Sequence, residues 1–147
     1  MEENMNNIPV QAQILKKTFE NAFEDIRKKY NLTMNEIILL LYLERNKMKN
    51  TARDMVEEIM ITKSHISKSV DSLVDKKIIT RLQDKDDRKV IHLQITENAS
   101  KLVKELKKID ESITKKVTKG ISKEELAILE KALQKIKENI SDIIKNL

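Results

Sequence analysis

A chain of 147 residues with 39% hydrophobic and 36% charged residues, one Gly, one Pro and no Cys can bury one ordinary core and has the balance of a helix-rich globular protein. The missing Cys excludes thiol catalysis, zinc sites built on thiolates and disulfide switching. A net charge of +5 favours a polyanionic partner, because Lys and Arg that neutralise phosphates release condensed counterions, although many Lys-rich helical proteins are as basic with no nucleic acid to bind.

The first segment sets Leu15, Phe19, Ala22, Phe23, Ile26 and Tyr30 at steps of three and four, one continuous apolar stripe on a helix that starts near Pro9. After a break at Asn31-Leu32, Thr33-Met34-Asn35-Glu36 is a capping box that opens a second helix through Leu43. Asn50-Thr51 can cap a short third helix carrying Ala52, Met55, Val56 and Ile59, and Thr62 a fourth carrying Ile66, Val70, Leu73 and Val74. Only Met60 and Ile61 separate the two, so they form a candidate helix-turn-helix.

Beyond Lys77 the period changes. Ile78 to Leu82 is β-branched, Asp84-Lys85-Asp86-Asp87 is a turn cluster, and Val90 to Ile95 alternates with Ile91, Leu93 and Ile95 on one face, which reads as a hairpin with a charged tip. Thr96 can cap a long fifth helix with Ala99, Leu102, Val103, Leu106, Ile109, Ile113 and Val117 on one side, ended by Gly120. Ser122-Lys123-Glu124-Glu125 then opens a last helix whose Leu126, Leu129, Leu133, Ile136, Ile140, Ile143 and Leu147 keep a three-four alternation, the pattern of a helix interface.

Burying Ile66 and Val70 on the fourth helix leaves Lys63, Ser64, Ser67, Lys68 and Asp71 outward. Short hydroxyls allow close approach to a major groove, Lys63 and Lys68 supply charge, and the helix start at Thr62 favours phosphate. The same face would also serve as plain solvated surface. Lys85, Arg88 and Lys89 on the hairpin tip make the pair more specific, because a basic side chain on such a wing can enter the narrow, electronegative minor groove. Asp84, Asp86 and Asp87 oppose a simple phosphate clamp, so at least one must hold the turn or a basic side chain. His65 either touches DNA or is a partly buried residue of the helix-turn-helix. His92, out of phase with Ile91 and Leu93, is expected to be exposed.

The run ITKSHISKSVDSLVDKKIITRLQDKDDRKVIHLQIT, from Ile61 to Thr96, resembles the recognition helix, wing strands and wing of a MarR-family repressor. In that family the first wing strand ends in an Arg, matched by Arg81, and an Asp-x-Arg signature stands nine residues before a helix-opening Thr, an interval matched by Asp87 to Thr96. The family's signature Arg is Lys89 here with Arg88 before it, so the side chain that reaches the minor groove stays open between them. The Gly often found before the wing strand is Lys77, and the small turn residue of the helix-turn-helix is Met60.

The resemblance implies a mainly α fold with a β-hairpin wing: a single domain in which residues 33–96 form the winged helix-turn-helix and residues 8–30 and 97–147 the dimerisation helices. It implies a homodimer, with Leu15 and Phe19 joining the last helix's stripe in the interface, that represses transcription from an inverted-repeat operator. It further implies a small aromatic or phenolic ligand near the junction of the dimer and DNA-binding regions. No Gly-rich phosphate loop, nucleophile motif or ligand cluster suggests an enzyme, a metal or a cofactor. No apolar run approaches the ~20 residues of a membrane span, and the start Met1-Glu2-Glu3-Asn4 is unlike a secretory signal, so a cytoplasmic protein is expected. The competing function class is a winged-helix module that binds other proteins.

Overall fold

The apolar stripe of the first segment forms two helices where the spacing predicts one. In the computed structural model, which describes residues 7–147 and leaves Met1–Asn4 outside the described residues, α1 spans Ile8–Ala22 and α2 spans Glu24–Tyr30. They meet at Phe23, whose ψ of 0° departs from helical geometry while its ring is buried. Periodicity does not register a one-residue bend that keeps the stripe in phase. Asn31 closes α2 in the left-handed region, at φ 52°, a conformation Asn tolerates better than most residues. Leu32 then turns back to donate its N–H to the Arg27 carbonyl at 2.9 Å and buries its side chain.

Helix α3, Met34–Arg45, carries the expected capping box, with the Thr33 hydroxyl accepting from Glu36 N–H and the Glu36 carboxylate from Thr33 N–H. Its Ile37, Leu39 and Leu40 are wholly buried, so this helix is the centre of the core. Helix α4, Ala52–Ile59, starts with a second box from Thr51 and Asp54, and Met55 anchors it inward. Met60 makes the turn at φ 62°, and α5 follows as Lys63–Asp75 with Thr62 as cap. Ile66, Val70 and Leu73 pack into the same core as Phe23, Ile26, Leu43, Leu93, Leu102 and Leu106.

After a turn at Lys77 with φ 61°, β1 (Ile79–Gln83) pairs antiparallel with β2 (Ile91–Ile95), Ile79 facing Ile95 and Gln83 facing Ile91. Leu93 is buried and Ile95 packs partly buried against the core, whereas Ile91 is exposed, so the expected alternation fails only at the tip end of β2. The role expected of Thr96 needs correction. Its hydroxyl donates to the carbonyls of Lys77 and Ile78 instead of capping, and the chain passes through a 3-10 turn, Glu97–Ala99, before α6 begins at Ser100.

Helix α6 spans Ser100–Val117, and Gly120 leaves it at φ 81°. The described chain divides into a unit ending at Ile113 and a second unit, Thr114–Leu147. In the second, α7 (Lys123–Lys145) opens on the expected Ser122 and Glu125 box. Its Leu129, Leu133, Ile136, Ile140 and Ile143 are exposed. Among the described residues, no helix is long and apolar enough to cross a membrane.

Candidate nucleic-acid interface

Helix α5 separates its two faces as the spacing predicts. Ile66, Val70 and Leu73 are buried with Ser69, while Thr62, Lys63, Ser64, His65, Ser67 and Lys68 are exposed. The Thr62 hydroxyl accepts the His65 N–H at 3.4 Å and lies 3.3 Å from the Ser64 hydroxyl. The start of the helix therefore presents small hydroxyls with Lys63 beside them. His65 is exposed on this outward face, so it is not a partly buried residue of the helix-turn-helix.

The hairpin tip shows what two of the three acids among its basic residues do. Asp84 Oδ2 accepts the backbone N–H of both Asp86 and Asp87 at 3.0 Å, and Asp87 Oδ1 accepts Lys89 N–H at 2.9 Å. Gln83 Nε2 donates to the Arg88 carbonyl at 3.0 Å, and the backbone bonds between Asp84 and Val90 and between Val90 and Asp87 complete the turn. Asp87 and one oxygen of Asp84 are spent on backbone amides, as in Asx turns generally. Among the described residues, no acidic side chain pairs with Lys85, Arg88 or Lys89, nor with Lys63 or Lys68 on α5.

Arg81 is placed differently: its guanidinium on β1 forms an ion pair with Asp71 on α5, so it laces the wing strand to the recognition helix. A second tie fixes the far end of α5. Lys76 Nζ reaches the buried Glu36 at 3.3 Å and the Asn31 carbonyl, so the capping acid of α3 also holds the helix that would read DNA.

His92 corrects the expectation that it would be exposed. It is partly buried, with Nδ1 2.6 Å from Asn50 Oδ1 and Nε2 2.7 Å from Asp84 Oδ1. The His92 bond first, and then the Asp86 and Asp87 amides, hold the Asp84 carboxyl below the usual Asp value, because each donor favours the ionised form. Asn50 joins the site only through the fold. Its link to His92 crosses 42 residues, and no local spacing announces such a contact.

Of the residues expected at a dimer interface, Leu15 is exposed and Phe19 half-buried against the core, and both line an open groove of about 520 Å³ with Phe23, Met34, Ile38 and Leu41. In the second unit Leu126 is half-buried, and the rest of its stripe is exposed. Among the described residues, no group of three or more His, Cys, Asp or Glu side chains converges as a metal site would require.

Comparison with known proteins agrees with this geometry. Residues 21–106 match the family described as transcriptional regulator SarA/Rot. The chain is 30% identical over 92 residues to the HTH-type transcriptional regulator YpoP of Bacillus subtilis (strain 168), a match spanning 61% of this chain and 64% of that protein, under two thirds of its length. Among solved structures, it superposes on the transcription regulator MarR from Oenococcus oeni PSU-1 with a TM-score of 0.78 at 29% identity, covering 89% of this chain and 98% of that one. It likewise superposes on a MarR-family regulator from Listeria monocytogenes complexed with a 26mer DNA, with a TM-score of 0.76 at 25% identity, covering 94% and 89%.

Proposed function

The chain belongs to the SarA/Rot family of transcriptional regulators and has the winged-helix fold of MarR-type proteins, and from that premise we propose that it is a cytoplasmic homodimeric repressor of an inverted-repeat operator. The observation that carries this reading is the division of labour at the wing: Asp84 and Asp87 bond to the backbone of the tip, while Lys85, Arg88 and Lys89 are exposed and pair with no acidic side chain among the described residues. The adjoining recognition helix is tied to the wing through Asp71 and Arg81 and presents Thr62, Lys63, Ser64, His65, Ser67 and Lys68. Hydroxyls and a lysine on a helix suit the major groove, and an arginine or lysine on a protruding turn suits the minor groove.

Dimerisation follows from the apolar surface that a single copy leaves uncovered. Leu15 in the first unit, with Leu129, Leu133, Ile136, Ile140 and Ile143 in the second, is exposed, and a sustained three-four stripe of that kind calls for a partner helix. Two copies related by a two-fold axis present two recognition helices to successive major grooves, roughly 10 base pairs apart. Occupancy of a promoter then blocks transcription.

The groove beside Phe19 and Phe23, lined mostly by apolar side chains, suits the ring of a small aromatic or phenolic ligand. Such a ligand changes DNA affinity only through a difference in its affinity for the DNA-competent and DNA-incompetent arrangements. Adding phenolic acids to a protein–operator mixture tests this part, and unchanged affinity removes the ligand from the account.

Selection of bound fragments from random-sequence DNA by the purified protein tests the function itself. Enrichment of an inverted repeat, bound by one dimer, is the expected result. Weak binding that ignores sequence would instead make the exposed helix faces a protein-docking surface and the basic charge incidental.

A further inference from the structure

His92 occupies a junction that neither the fold nor DNA contact explains. Its ring stands between the wing tip and the loop that opens α4, where Thr51 bridges to His92 and the Leu93 N–H donates to the Asn50 carbonyl at 2.9 Å. Both of the ring's partners are oxygens, Asn50 Oδ1 at 2.6 Å and Asp84 Oδ1 at 2.7 Å. Oxygens of carboxylates and amides only accept, and an imidazole donates from both nitrogens only when protonated. Asp84 also carries the two amides that shape the tip, so one carboxylate joins the ring to the turn that displays Lys85 and Arg88.

Building on the DNA-binding reading above, we propose that His92 is a positioning residue for the wing: its imidazolium clamps the tip turn to Asn50, and operator affinity rises as pH falls through the imidazole range. Asp84 faces the ring from the tip, Asp54 stands behind Thr51 with its carboxylate on the Thr51 amide and hydroxyl, and Leu82 opposite on β1 is uncharged. Lys47 lines a groove together with Asn50, and Arg53 on α4 is occupied by Glu57. Loss of the ring proton leaves two acceptors and one donor, so the clamp opens at one end unless the Asn50 amide reverses to donate.

Operator affinity measured at fixed ionic strength from about pH 5.5 to 8, the interval in which imidazoles ordinarily titrate, tests the proposal with the full-length protein. The wild type is expected to bind several-fold to about ten-fold more tightly at the acid end, the change of a single coupled protonation. His92→Gln should bind with little dependence on pH. His65→Gln should keep most of the dependence, which separates the clamp from direct protonation of a residue on the DNA-reading face.

Asn50→Asp removes the option of amide reversal and adds a negative partner, so it should move the midpoint of the affinity change to higher pH. Nitrogen NMR of the free protein should show both His92 ring nitrogens protonated at the acid end. A His92→Gln protein that melts like the wild type and keeps its full pH dependence overturns the proposal. A wild type that binds its operator equally at all these pH values overturns it as well, while leaving the DNA-binding reading intact. A wild type that binds no DNA at any pH contradicts that reading first.

Discussion

The Arg81 guanidinium on the first wing strand pairs with the Asp71 carboxylate on the recognition helix, and both side chains are largely open to water, at 45% and 66% exposure. Exposed pairs contribute little to folding, so Arg81→Ala should change the unfolding free energy by less than about 1 kcal/mol. It should nevertheless weaken operator binding roughly ten-fold, the effect of losing about one well-placed charged contact. Asp71→Asn, which keeps the guanidinium, should weaken binding less. Chemical denaturation beside fluorescence anisotropy on labelled operator checks both halves.

Glu36 is expected to matter in the opposite way, for stability more than for DNA contact. It is 2% exposed and serves both the Thr33 amide and Lys76. Glu36→Ala leaves the Thr33 amide without its partner and the partly buried Lys76 ammonium with only the Asn31 carbonyl, at a cost of about 2–3 kcal/mol, and Glu36→Gln, which can still accept from Thr33, about 1 kcal/mol. Urea melts at a fixed protein concentration give the comparison, because a chain that dimerises as proposed is stabilised by mass action.

Lys77 turns the chain into the wing at φ 61° and is exposed. A residue with a Cβ is strained there and glycine is not, so Lys77→Gly should stabilise the fold by about 0.5–1 kcal/mol, and Lys77→Val should destabilise it by more than that. Met60 has the same backbone conformation, but it is half-buried, so the gain from glycine is offset there by lost packing. Thermal unfolding of the two glycine variants should rank Lys77→Gly above Met60→Gly.

Tyr30 donates to Glu105 at 2.7 Å and Lys29 to the same carboxylate at 3.0 Å, tying α2 to α6. The Tyr30 bond first, and then the Lys29 bond, hold Glu105 below its ordinary 4.5, so its contribution to stability is present above that pH and is lost as pH falls through the lower folded value. The Glu105 bond raises both Tyr30 and Lys29 from 10.0 and 10.5. Their contribution is present below those values and is lost as pH rises through the raised ones. Tyr42 is also raised, by burial first and then by Asp54 and Glu58. In a phenolate titration by ultraviolet absorbance, Glu105→Ala should bring one tyrosine down toward the ordinary value and leave the other high.

What the sequence disclosed and what it hid divide along the range of the interactions. Thr33 with Glu36 and Ser122 with Glu125 are three apart, so their capping boxes are visible as spacing and the structure contains both. The split of α5 into a buried Ile66, Val70, Leu73 face and a polar face is equally local, because it follows from helical period alone. Thr96 has the same local credentials as a cap, yet its hydroxyl found carbonyls 18 and 19 residues earlier and took them instead. The Glu36 tie to Lys76 spans 40 residues and the Asn50 tie to His92 spans 42, so the contacts that hold α5 and the hairpin were hidden while the exposed polar face of α5 was legible. The bend at Phe23 went unseen because it preserves the phase of the stripe around it.

The salt dependence of operator binding, measured for the wild type and for the Lys68→Glu, Arg88→Glu double variant, tests the central claim most directly. The wild type is predicted to lose affinity steeply as salt rises, by about 0.9 in logarithmic slope for each phosphate neutralised. The double variant, whose two positions are both exposed, should melt and associate like the wild type and lose specific binding. A shallow slope in the wild type, or a double variant that binds the operator as tightly as its parent, would contradict the assignment of this surface to DNA.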